Sequence, residues 1–409
     1  MTPTSGTDVV FLDILDPAFR VDSPEVRAAA EASWWARTPI GIAVLRYPEC
    51  MALLRDRRLR HGTVDLLAAR GVTTGLFADW QRRMLLNLEG EAHQRQRRLV
   101  SKAFTQRSVE VLRPFMRAKA HELIDGFAED GGCEFMTAFA DPYPASVIAE
   151  LLGIPAERFP AFLGWATDMG LGFSPAAAAE QDRIDAAVAG LYSCCDELIT
   201  QRRENPADDL ISALIAAEVD GERLSAEELR ILLSTLIFAG QDTTRNQLGL
   251  AITTCIQHPE QWRLLAREPE WARSAVEELM RLAPATPLVG RVPTETFTFQ
   301  GVDIPAGSHI ALLLGAANTD PGVFGDAPFD ITARRSAQLT FGGGIHHCLG
   351  AWLARTEMGE ALPILASRLG DITLAGPVPS RPHIGIAGPI TLPLRFTGIA
   401  SRHSGIGQE

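Results

Sequence analysis

The stretch Phe341-Gly-Gly-Gly-Ile-His-His-Cys-Leu-Gly350 decides the fold, because it sets one cysteine, Cys348, in a glycine-rich loop that runs directly into a helix. Glycine accepts the positive φ that such a loop often needs, and it lets the backbone pass close to a flat group. The N–H groups at the start of the helix would point at the sulfur and stabilise a thiolate. The sequence therefore predicts a cysteine that acts as a ligand, with Phe341 covering one side of the sulfur.

This arrangement of phenylalanine, glycines, histidine and cysteine resembles the signature of the cytochrome P-450 family of haem-thiolate monooxygenases, in its soluble bacterial type. The resemblance implies that the Cys348 thiolate binds the iron of haem b, with Phe341, Gly342 and Gly350 against the cofactor. Two other interpretations start from the residues alone. One is a buried thiol with a packing role. The other is a zinc site, although neighbours such as His346 and Cys348 rarely point at one ion and no partner motif occurs elsewhere.

The composition is that of a soluble enzyme. A formal net charge of −12 argues against a nucleic-acid partner, which would need a basic face. No stretch approaches the roughly 18 apolar residues that span a bilayer, so no membrane association is expected. The six cysteines have no regular spacing, which indicates a reducing cytoplasm rather than a disulfide scaffold. No linker divides the 409 residues, and we expect one domain over residues 1–409 with disorder in 1–8 and 401–409.

Helical patterns dominate from about residue 108 to residue 282, and short strand-like runs lie nearer the ends of the chain. The expected strands show apolar alternation with flanking glycine or proline. They cover residues 41–46, 296–300, 308–314 and 390–396. This division predicts a mainly α (α+β) domain. The resemblance implies the cytochrome P-450 fold, in which a long central helix lies over the haem and the sheets are small and peripheral.

The longest helix is expected from near Ser225 to about Gln257, opened by a capping box between Ser225 and Glu228. Its centre reads Ala239-Gly-Gln-Asp-Thr-Thr244, which is an unusual choice for a buried helix. Glycine costs about 1 kcal/mol against alanine there, and threonine can bond back to a carbonyl and distort the helix. The pattern alone therefore fits either a functional distortion or an ordinary bend.

The resemblance places a dioxygen groove at this segment, with Ala239 and Gly240 keeping it open and with Asp242 and Thr243 as the catalytic acid–alcohol pair. Reduction of dioxygen needs protons, and a partly buried carboxylate with a hydroxyl can relay them from water.

Glu278 and Arg281 are three residues apart on a predicted helix and can pair on one face. Alone this spacing is weak evidence, because most such pairs are solvated. The resemblance makes the pair a buried support for the cysteine loop, joined by a third arginine. Both Arg334 and Arg335 are candidates, and we favour Arg335.

His93 and Arg97 are four residues apart and share a helix face. The resemblance places them against the haem propionates, together with Arg291 and His346. A solvent-exposed helix histidine is the alternative for His93.

The resemblance also implies partners and a substrate site. Electrons from NAD(P)H would arrive through a separate reductase and a ferredoxin or flavodoxin at a basic face that includes Arg95, Arg98 and Lys102, although a solvated basic helix face is equally consistent with these three residues. The chain would act as a monomer in the cytoplasm. A hydrophobic small molecule and dioxygen would meet at a distal pocket that draws on the variable segment 63–81 and on the segment 159–190, in which residues 170–179 are expected to form a mobile lid. The pocket residues expected from this analogy are Thr235, Phe238, Leu288, Val289 and Ile386.

The expected reaction is hydroxylation or epoxidation with two electrons from the redox partner. Two alternatives stay open at this point. One is unusual haem-thiolate chemistry, such as peroxygenation, decarboxylation or nitration. The other is a non-catalytic haem-based binder.

Overall fold

The computed structural model describes residues 9–174, 176–325 and 328–398. The terminal segments 1–8 and 401–409, for which the sequence predicts disorder, lie outside the described residues. Their disorder and the single domain over residues 1–409 therefore stay predictions.

Helices make up most of the described part of the chain. Those with α geometry are α1 (Pro24–Ala32), α2 (Tyr47–Leu54), α3 (Thr63–Ala69), α4 (Leu76–Arg83), α5 (Gly90–Ala103), α6 (Gln106–Glu110), α7 (Arg113–Asp125), α8 (Pro142–Leu152), α9 (Phe159–Gly170), α10 (Gln181–Glu204), α11 (Leu210–Ala216), α12 (Ala226–Gln257), α13 (Pro259–Arg267), α14 (Ala272–Leu282), α15 (Leu314–Ala317), α16 (Pro321–Phe324) and α17 (Ala351–Leu369).

The strands are short and lie on both sides of the helical region in sequence. They are β1 (Trp35–Thr38), β2 (Gly41–Val44), β3 (Leu59–His61), β4 (Gly132–Glu134), β5 (Val289–Pro293), β6 (Phe297–Phe299), β7 (Val302–Ile304), β8 (His309–Leu312), β9 (Ile372–Leu374) and β10 (Pro393–Phe396). Each of the four strands expected from the sequence contains one of them, namely β2, β6, β8 and β10.

Three small sheets are formed, with the orders β1-β2-β8-β5-β3, β4-β10-β9 and β6-β7. β2 and β8 pair in parallel, and the other pairs are antiparallel. The pairing of β3 with β5 sets His61 opposite Arg291. A histidine and an arginine that are far apart in sequence are therefore neighbours near one edge of the sheet.

α12 is the long helix that the sequence predicts. It is 32 residues long, and it begins with the expected capping box. The Ser225 hydroxyl accepts from the N–H of Glu228 at 3.2 Å, and the Glu228 carboxylate accepts from the N–H of Ser225 at 2.8 Å. At 1.5 Å per residue the helix spans about 48 Å. α8, α9, α10, α14 and α17 pack around it.

The main apolar core lies between these helices, and a smaller one lies against the five-stranded sheet. Leu248 and Ile252 of α12 and Leu362 and Leu365 of α17 belong to the main core and are fully buried. The prediction of a mainly α (α+β) domain with peripheral sheets is confirmed. Within the described residues, no helix combines the length and the apolar content that crossing a membrane would require.

Candidate active site

The cysteine loop is shaped by its own backbone. The N–H of Cys348 donates to the carbonyl of Phe341 at 2.9 Å, and the N–H of Gly342 donates to the carbonyl of Leu339 at 2.7 Å. Gly342 and Gly344 have φ of 67° and 66°, which glycine adopts at little cost. The loop delivers the sulfur to a point three residues before α17 begins.

Gly344 is required by space as well as by φ. A Cβ on this residue would lie 2.6 Å from the carbonyl oxygen of Leu54 and 3.2 Å from Cα of Arg55. Its close neighbour is the backbone at the end of α2, a contact that the sequence analysis did not foresee. Gly350 does border the ligand atom, because a Cβ there would lie 4.0 Å from Sγ of Cys348.

Cys348 differs from the other five cysteines, which are buried or half-buried, in that its side chain is exposed. Protein nevertheless surrounds the thiol at longer range, and this burial raises the pKa of Cys348. The N–H of Gly350 and the charges of Arg97 and Arg355 act in the opposite direction and favour the thiolate. An exposed thiol with such neighbours does not fit the alternative of a cysteine that only packs.

Arg355 is a site residue to which the sequence analysis gave no role. Its guanidinium lies over the Phe341 ring, 4.2 Å from the centroid, and it pairs with Glu277. Five residues after Gly350, on α17, it holds Phe341 in place beside the cysteine. The spacing of seven between Cys348 and Arg355 was visible in the sequence, but the ring contact depends on how the loop folds.

The four residues expected at the haem propionates come together near the loop. The rings of His93 and His346 are 4.8 Å apart, and Arg97 donates to the carbonyl of His347 at 2.9 Å. Arg291 is 3% exposed, and burial lowers its pKa to about 10. Burial also lowers the pKa of His93, which is buried rather than solvent-exposed as the alternative had it.

This cluster lacks the acceptors that its burial requires. The Nδ1 atoms of His93 and His346 are buried without a hydrogen-bond partner, although buried polar atoms are normally paired. The nearby carboxylate is Glu89, which contacts Nε2 of His346 at 3.0 Å. Further carboxylate oxygens would satisfy these nitrogens and neutralise the arginines. The residues therefore fit the propionate edge of a haem.

His61 belongs to the same cluster, and sequence reasoning missed it. Its ring lies 6.1 Å from that of His346, and Nδ1 is 2.6 Å from the Thr63 hydroxyl. Burial, followed by the charges of Arg291 and His346, lowers the pKa of His61 well below its usual value. No local motif marks this histidine, because the β3–β5 pairing brings it to the cluster.

No zinc site accompanies these residues. Within residues 9–174, 176–325 and 328–398, no group of three His, Cys, Asp or Glu side chains is arranged to hold a metal ion. The zinc alternative for Cys348 therefore has no ligand set in the described part of the chain.

The centre of α12 contains the predicted groove residues. Thr243 donates from Oγ1 to the carbonyl of Ala239 at 2.9 Å, which is the back-bond expected of a threonine in a helix. Ala239 is exposed although it lies at the middle of a helix that is otherwise largely buried. Asp242 is buried and receives hydrogen bonds from Arg381 and Asn246. Neither of these two partners was foreseen from the sequence.

Gly240 has a packing role. A Cβ on this residue would lie 3.0 Å from the side chain of Ile148 on α8. The glycine thus lets α8 approach α12, whereas Ala239 is the residue with the open face. The sequence analysis gave both residues to the groove; of the two, Ala239 is exposed and Gly240 is half-buried against α8.

Glu278, Arg281 and Arg335 form one buried ion-pair group. Arg281 donates to both carboxylate oxygens of Glu278 at 2.8 Å, and Arg335 donates to them at 2.9 and 3.0 Å. Of the two candidate arginines, Arg335 makes this contact. Arg281 also donates to the carbonyl of Asn318 at 2.9 Å, and the Asn318 side chain binds the N–H of Leu339 at 2.7 Å. The group is thereby joined to the start of the cysteine loop.

Of the expected substrate residues, Phe238 belongs to an aromatic cluster. Phe238 of α12 stacks on Phe173, with centroids 4.9 Å apart and planes at 6°, and packs edge-on against Trp80 at 5.9 Å. Thr235 is half-buried, with its hydroxyl bound to the carbonyl of Ile231. The remaining members are Leu288, which is buried, and Val289 and Ile386, which are half-buried.

The fold is helical, and its glycine-rich loop carries an exposed cysteine. The long helix has an exposed alanine at its centre, and the cluster of histidines and arginines contains buried ring nitrogens without a partner. Together these features define a class, the haem-binding oxidoreductases. Comparisons with known proteins agree. A family model described as cytochrome P-450 matches residues 178–368. The luteothin monooxygenase of Streptomyces thioluteus is 41% identical over 403 residues, which are 97% of this chain and 98% of the relative.

Two further comparisons extend this result. The mycinamicin IV hydroxylase/epoxidase of Micromonospora griseorubida is 38% identical over 343 residues, covering 82% of this chain and 83% of the relative. A solved cytochrome P-450 structure from Chondromyces apiculatus has a TM-score of 0.86 at 32% identity, covering 96% of this chain and 100% of that one.

The chain belongs to the cytochrome P-450 family. It is a monooxygenase that acts on small molecules with haem, dioxygen and a redox partner.

Proposed function

We propose that Cys348 is the thiolate ligand of haem b and that the chain hydroxylates or epoxidises a hydrophobic small molecule. The single observation that carries the assignment is the exposed Cys348 thiol in a loop beside buried, unpartnered histidine nitrogens. When bound, the haem supplies reductive activation of dioxygen and transfer of one oxygen atom to the substrate. Gly350, Arg97 and Arg355 favour the thiolate form that such a ligand requires.

His93, Arg97, Arg291 and His346 would hold the two haem propionates, and we add His61 to this set. The support is the excess of buried donors over acceptors at this cluster. Carboxylate–guanidinium bonds are among the strongest hydrogen bonds in proteins. The same contacts would fix the orientation of the cofactor relative to Cys348.

Asp242 and Thr243 would manage protons above the iron. The Thr243 hydroxyl donates to the carbonyl of Ala239. Its oxygen can still accept a hydrogen bond from water through its lone pairs. Asp242 is buried one residue away and can exchange protons with Thr243 through water. Ala239 would leave the space beside Thr243 open.

The substrate is proposed to be luteothin or a molecule of similar size and polarity. Support comes from the 41% identity with the luteothin monooxygenase across nearly the whole chain. Phe173, the half-buried member of the aromatic cluster that it forms with Trp80 and Phe238, offers an apolar surface for such a ligand. The names of the relatives favour oxygenation over peroxygenation, decarboxylation, nitration or mere binding.

Electrons are proposed to come from NAD(P)H through a separate reductase and a ferredoxin or flavodoxin. The basic side chains on α5 support docking of an acidic carrier, since Arg98 and Lys102 are exposed and lie on the same helix as His93 and Arg97. We further propose that the protein acts as a monomer in the cytoplasm, which six cysteines without a disulfide support.

The deciding experiment is the absorption spectrum of the reduced, carbon monoxide-treated protein. A thiolate ligand gives a Soret band at much longer wavelength than an imidazole ligand. We expect the thiolate band in the wild type and its loss in Cys348→Ser, with Cys133→Ser as the control cysteine variant. An imidazole-type spectrum of the wild type, or an unchanged spectrum of Cys348→Ser, would disprove the assignment.

Turnover of luteothin tests the proton relay. We expect Thr243→Ala to oxidise NAD(P)H while releasing hydrogen peroxide, because the hydroxyl that delivers the proton is missing. Thr253→Ala, which removes the same hydroxyl-to-carbonyl bond farther along α12, is the control. Full coupling of cofactor consumption to product in Thr243→Ala would contradict the role of Thr243.

A further inference from the structure

Arg70 joins two segments that the sequence analysis places around the distal pocket, residues 63–81 and the expected lid 170–179. It follows the end of α3, and its Nη1 donates to the carbonyl of Phe173 at 3.0 Å and lies 3.5 Å from the carbonyl of Ser174. The guanidinium is half-buried. A cationic side chain of the first segment, residues 63–81, therefore binds the backbone of the second, residues 170–179.

The contact point is a junction of four parts of the fold. Phe173 stacks on Phe238 of α12. The same Phe173 carbonyl lies 3.0 Å from where a Cβ on Gly385 would be, and Gly385 precedes the expected pocket residue Ile386. Arg70 thus reaches the place where the central helix, both segments and the carboxyl-terminal loop meet.

Arg70 has no carboxylate partner among the described residues. Its contacts there are two carbonyls, both made by the same nitrogen, so most of its five N–H donors have no protein acceptor. Burial lowers the pKa of Arg70, as it does for Arg97 and Arg291. Arg97 and Arg291 face the proposed propionates, whereas Arg70 binds the backbone of Phe173, whose ring stacks on the expected pocket residue Phe238.

A half-buried cation without a counter-charge is costly to keep. Two carbonyl bonds could have been made by a neutral donor such as glutamine, without that cost. The surrounding side chains Trp80, Phe173 and Phe238 are aromatic and offer no acceptor of comparable strength. An arginine is the residue that binds a planar, oxygen-bearing group best.

We propose that Arg70 determines substrate specificity by binding an electron-rich oxygen group, a carboxylate or a conjugated carbonyl, at one end of an otherwise apolar substrate. This inference rests on the proposed function, because it assumes that the distal pocket holds the molecule to be oxidised. The apolar body would lie against the aromatic cluster, and the oxygen group would replace water at the guanidinium. The polar contact would then set which carbon of the substrate lies above the haem.

Matched ligand pairs test the proposal. One pair is dodecanoate and 1-dodecanol, and the other is testosterone and its analogue without the 3-keto oxygen. Affinities are measured with the haem-loaded protein by spin-state titration and by calorimetry. In at least one pair we expect the wild type to bind the oxygen-bearing member about tenfold more tightly, as a charged hydrogen bond would give. Arg70→Gln should remove this preference and leave the Kd of the other member unchanged.

Two controls separate recognition from a structural role. Arg70→Lys should keep the preference for dodecanoate in part, because the charge remains while the planar fork is lost. Arg57→Gln removes an exposed arginine before β3 and should change neither affinity. If Arg70→Gln weakens both members of a pair equally, Arg70 only fastens the two segments and the proposal is overturned.

A wild type without preference in either pair, including one that binds none of the four compounds, also overturns it. Failure of the proposed function is recognised separately, because it would already appear as an imidazole-type carbon monoxide spectrum before any ligand is added.

Discussion

Arg381 donates to both carboxylate oxygens of Asp242, at 3.0 and 3.1 Å. Asn246 adds a third hydrogen bond at 3.2 Å, and the Asp242 side chain is only 9% exposed. The carboxylate proposed for the proton relay is therefore clamped rather than free. Arg381 lies in the loop that also carries Ile386, so the proposed relay and one wall of the proposed substrate pocket share this loop.

Removal of Arg381 should destabilise the protein through Asp242. We expect Arg381→Gln to cost about 1–3 kcal/mol of the free energy of unfolding, since it leaves a buried carboxylate short of a charged donor. Asp242→Asn/Arg381→Gln should cost less than the sum of the two single changes, with a coupling of about 1 kcal/mol. Urea unfolding of the four proteins measures this cycle. If the losses of unfolding free energy in the two single variants add to that of the double variant within about 0.3 kcal/mol, the contact between Asp242 and Arg381 does not stabilise the protein.

The elements that could be predicted from the sequence depend on local patterns. The capping box of Ser225 and Glu228 and the i, i+3 pair of Glu278 and Arg281 involve residues a single turn apart, so the sequence alone brings them together. The cysteine loop was recognisable because its residues are contiguous. These features do not depend on how distant parts of the chain pack together.

The residues that the sequence did not reveal reach the site through long-range contacts. Arg381 meets Asp242 across 139 residues of sequence, and His61 reaches the cationic cluster through strand pairing with Arg291. Arg70 becomes conspicuous only when its surroundings show no carboxylate. The packing contact of Gly240 is of the same kind, because its close neighbour Ile148 lies on another helix.

Gly344 and Gly342 offer a matched test of the cysteine loop. Both have positive φ, so alanine strains either position by about 1–2 kcal/mol. Only Gly344 is also blocked, by the backbone of Leu54, whereas a Cβ on Gly342 meets nothing within 4 Å. We expect Gly344→Ala to lower the free energy of unfolding of the haem-free protein by more than Gly342→Ala does. Urea unfolding of the two variants measures this, and equal losses would refute the steric argument.

The Glu278 ion-pair group should be essential for stability. Glu278→Gln would leave Arg281, whose side chain is 4% exposed, without a counter-charge, and breaking such a buried pair costs about 3–5 kcal/mol. We expect a large fall in the thermal midpoint together with loss of haem, because Arg281 is joined through Asn318 to the cysteine loop. Arg263→Gln, which breaks the exposed pair with Asp371, should change neither. Normal haem content in Glu278→Gln would argue against this support role.

The basic residues on α5 should affect electron delivery alone. Arg98 lies 3.4 Å from Asp220, and Lys102 donates to the carbonyl of Glu218 at 2.7 Å, yet both remain exposed. We expect Arg98→Glu/Lys102→Glu to slow reduction by an acidic ferredoxin about tenfold at low salt, with a smaller effect at high salt. Reduction by dithionite and substrate affinity should not change.

An exposed arginine elsewhere provides the control for this charge reversal. Arg27→Glu on α1 changes the net charge in the same direction without altering α5. The quantity to compare is the loss of the reduction rate per unit of charge changed. If this loss is the same for Arg27→Glu and for the α5 variant, the overall charge and not docking at α5 explains the slower reduction.

His383 joins the amino-terminal and carboxyl-terminal parts of the fold, and it should make the free energy of unfolding depend on pH. Its Nδ1 accepts a hydrogen bond from the N–H of Val21 at 3.1 Å, and burial, followed by the charge of Arg20, lowers its pKa while Asp22 opposes the shift. Because the folded pKa lies below the unfolded value of about 6.5, the unfolded state binds more protons as the pH falls through this range. Stability is therefore lost on acidification, by at most about 1.4 kcal/mol per pH unit for this group.

His383→Asn keeps an acceptor for Val21 but cannot titrate. We expect it to lose less unfolding free energy than the wild type between pH 7.5 and pH 5.5, although His61 and His93, whose pKa values burial also lowers, still contribute a slope. Urea unfolding across this pH range, compared between the two proteins, gives the difference directly. Parallel pH profiles would mean that His383 is not protonated in the unfolding transition and that the bond to Val21 is not the acid-sensitive contact.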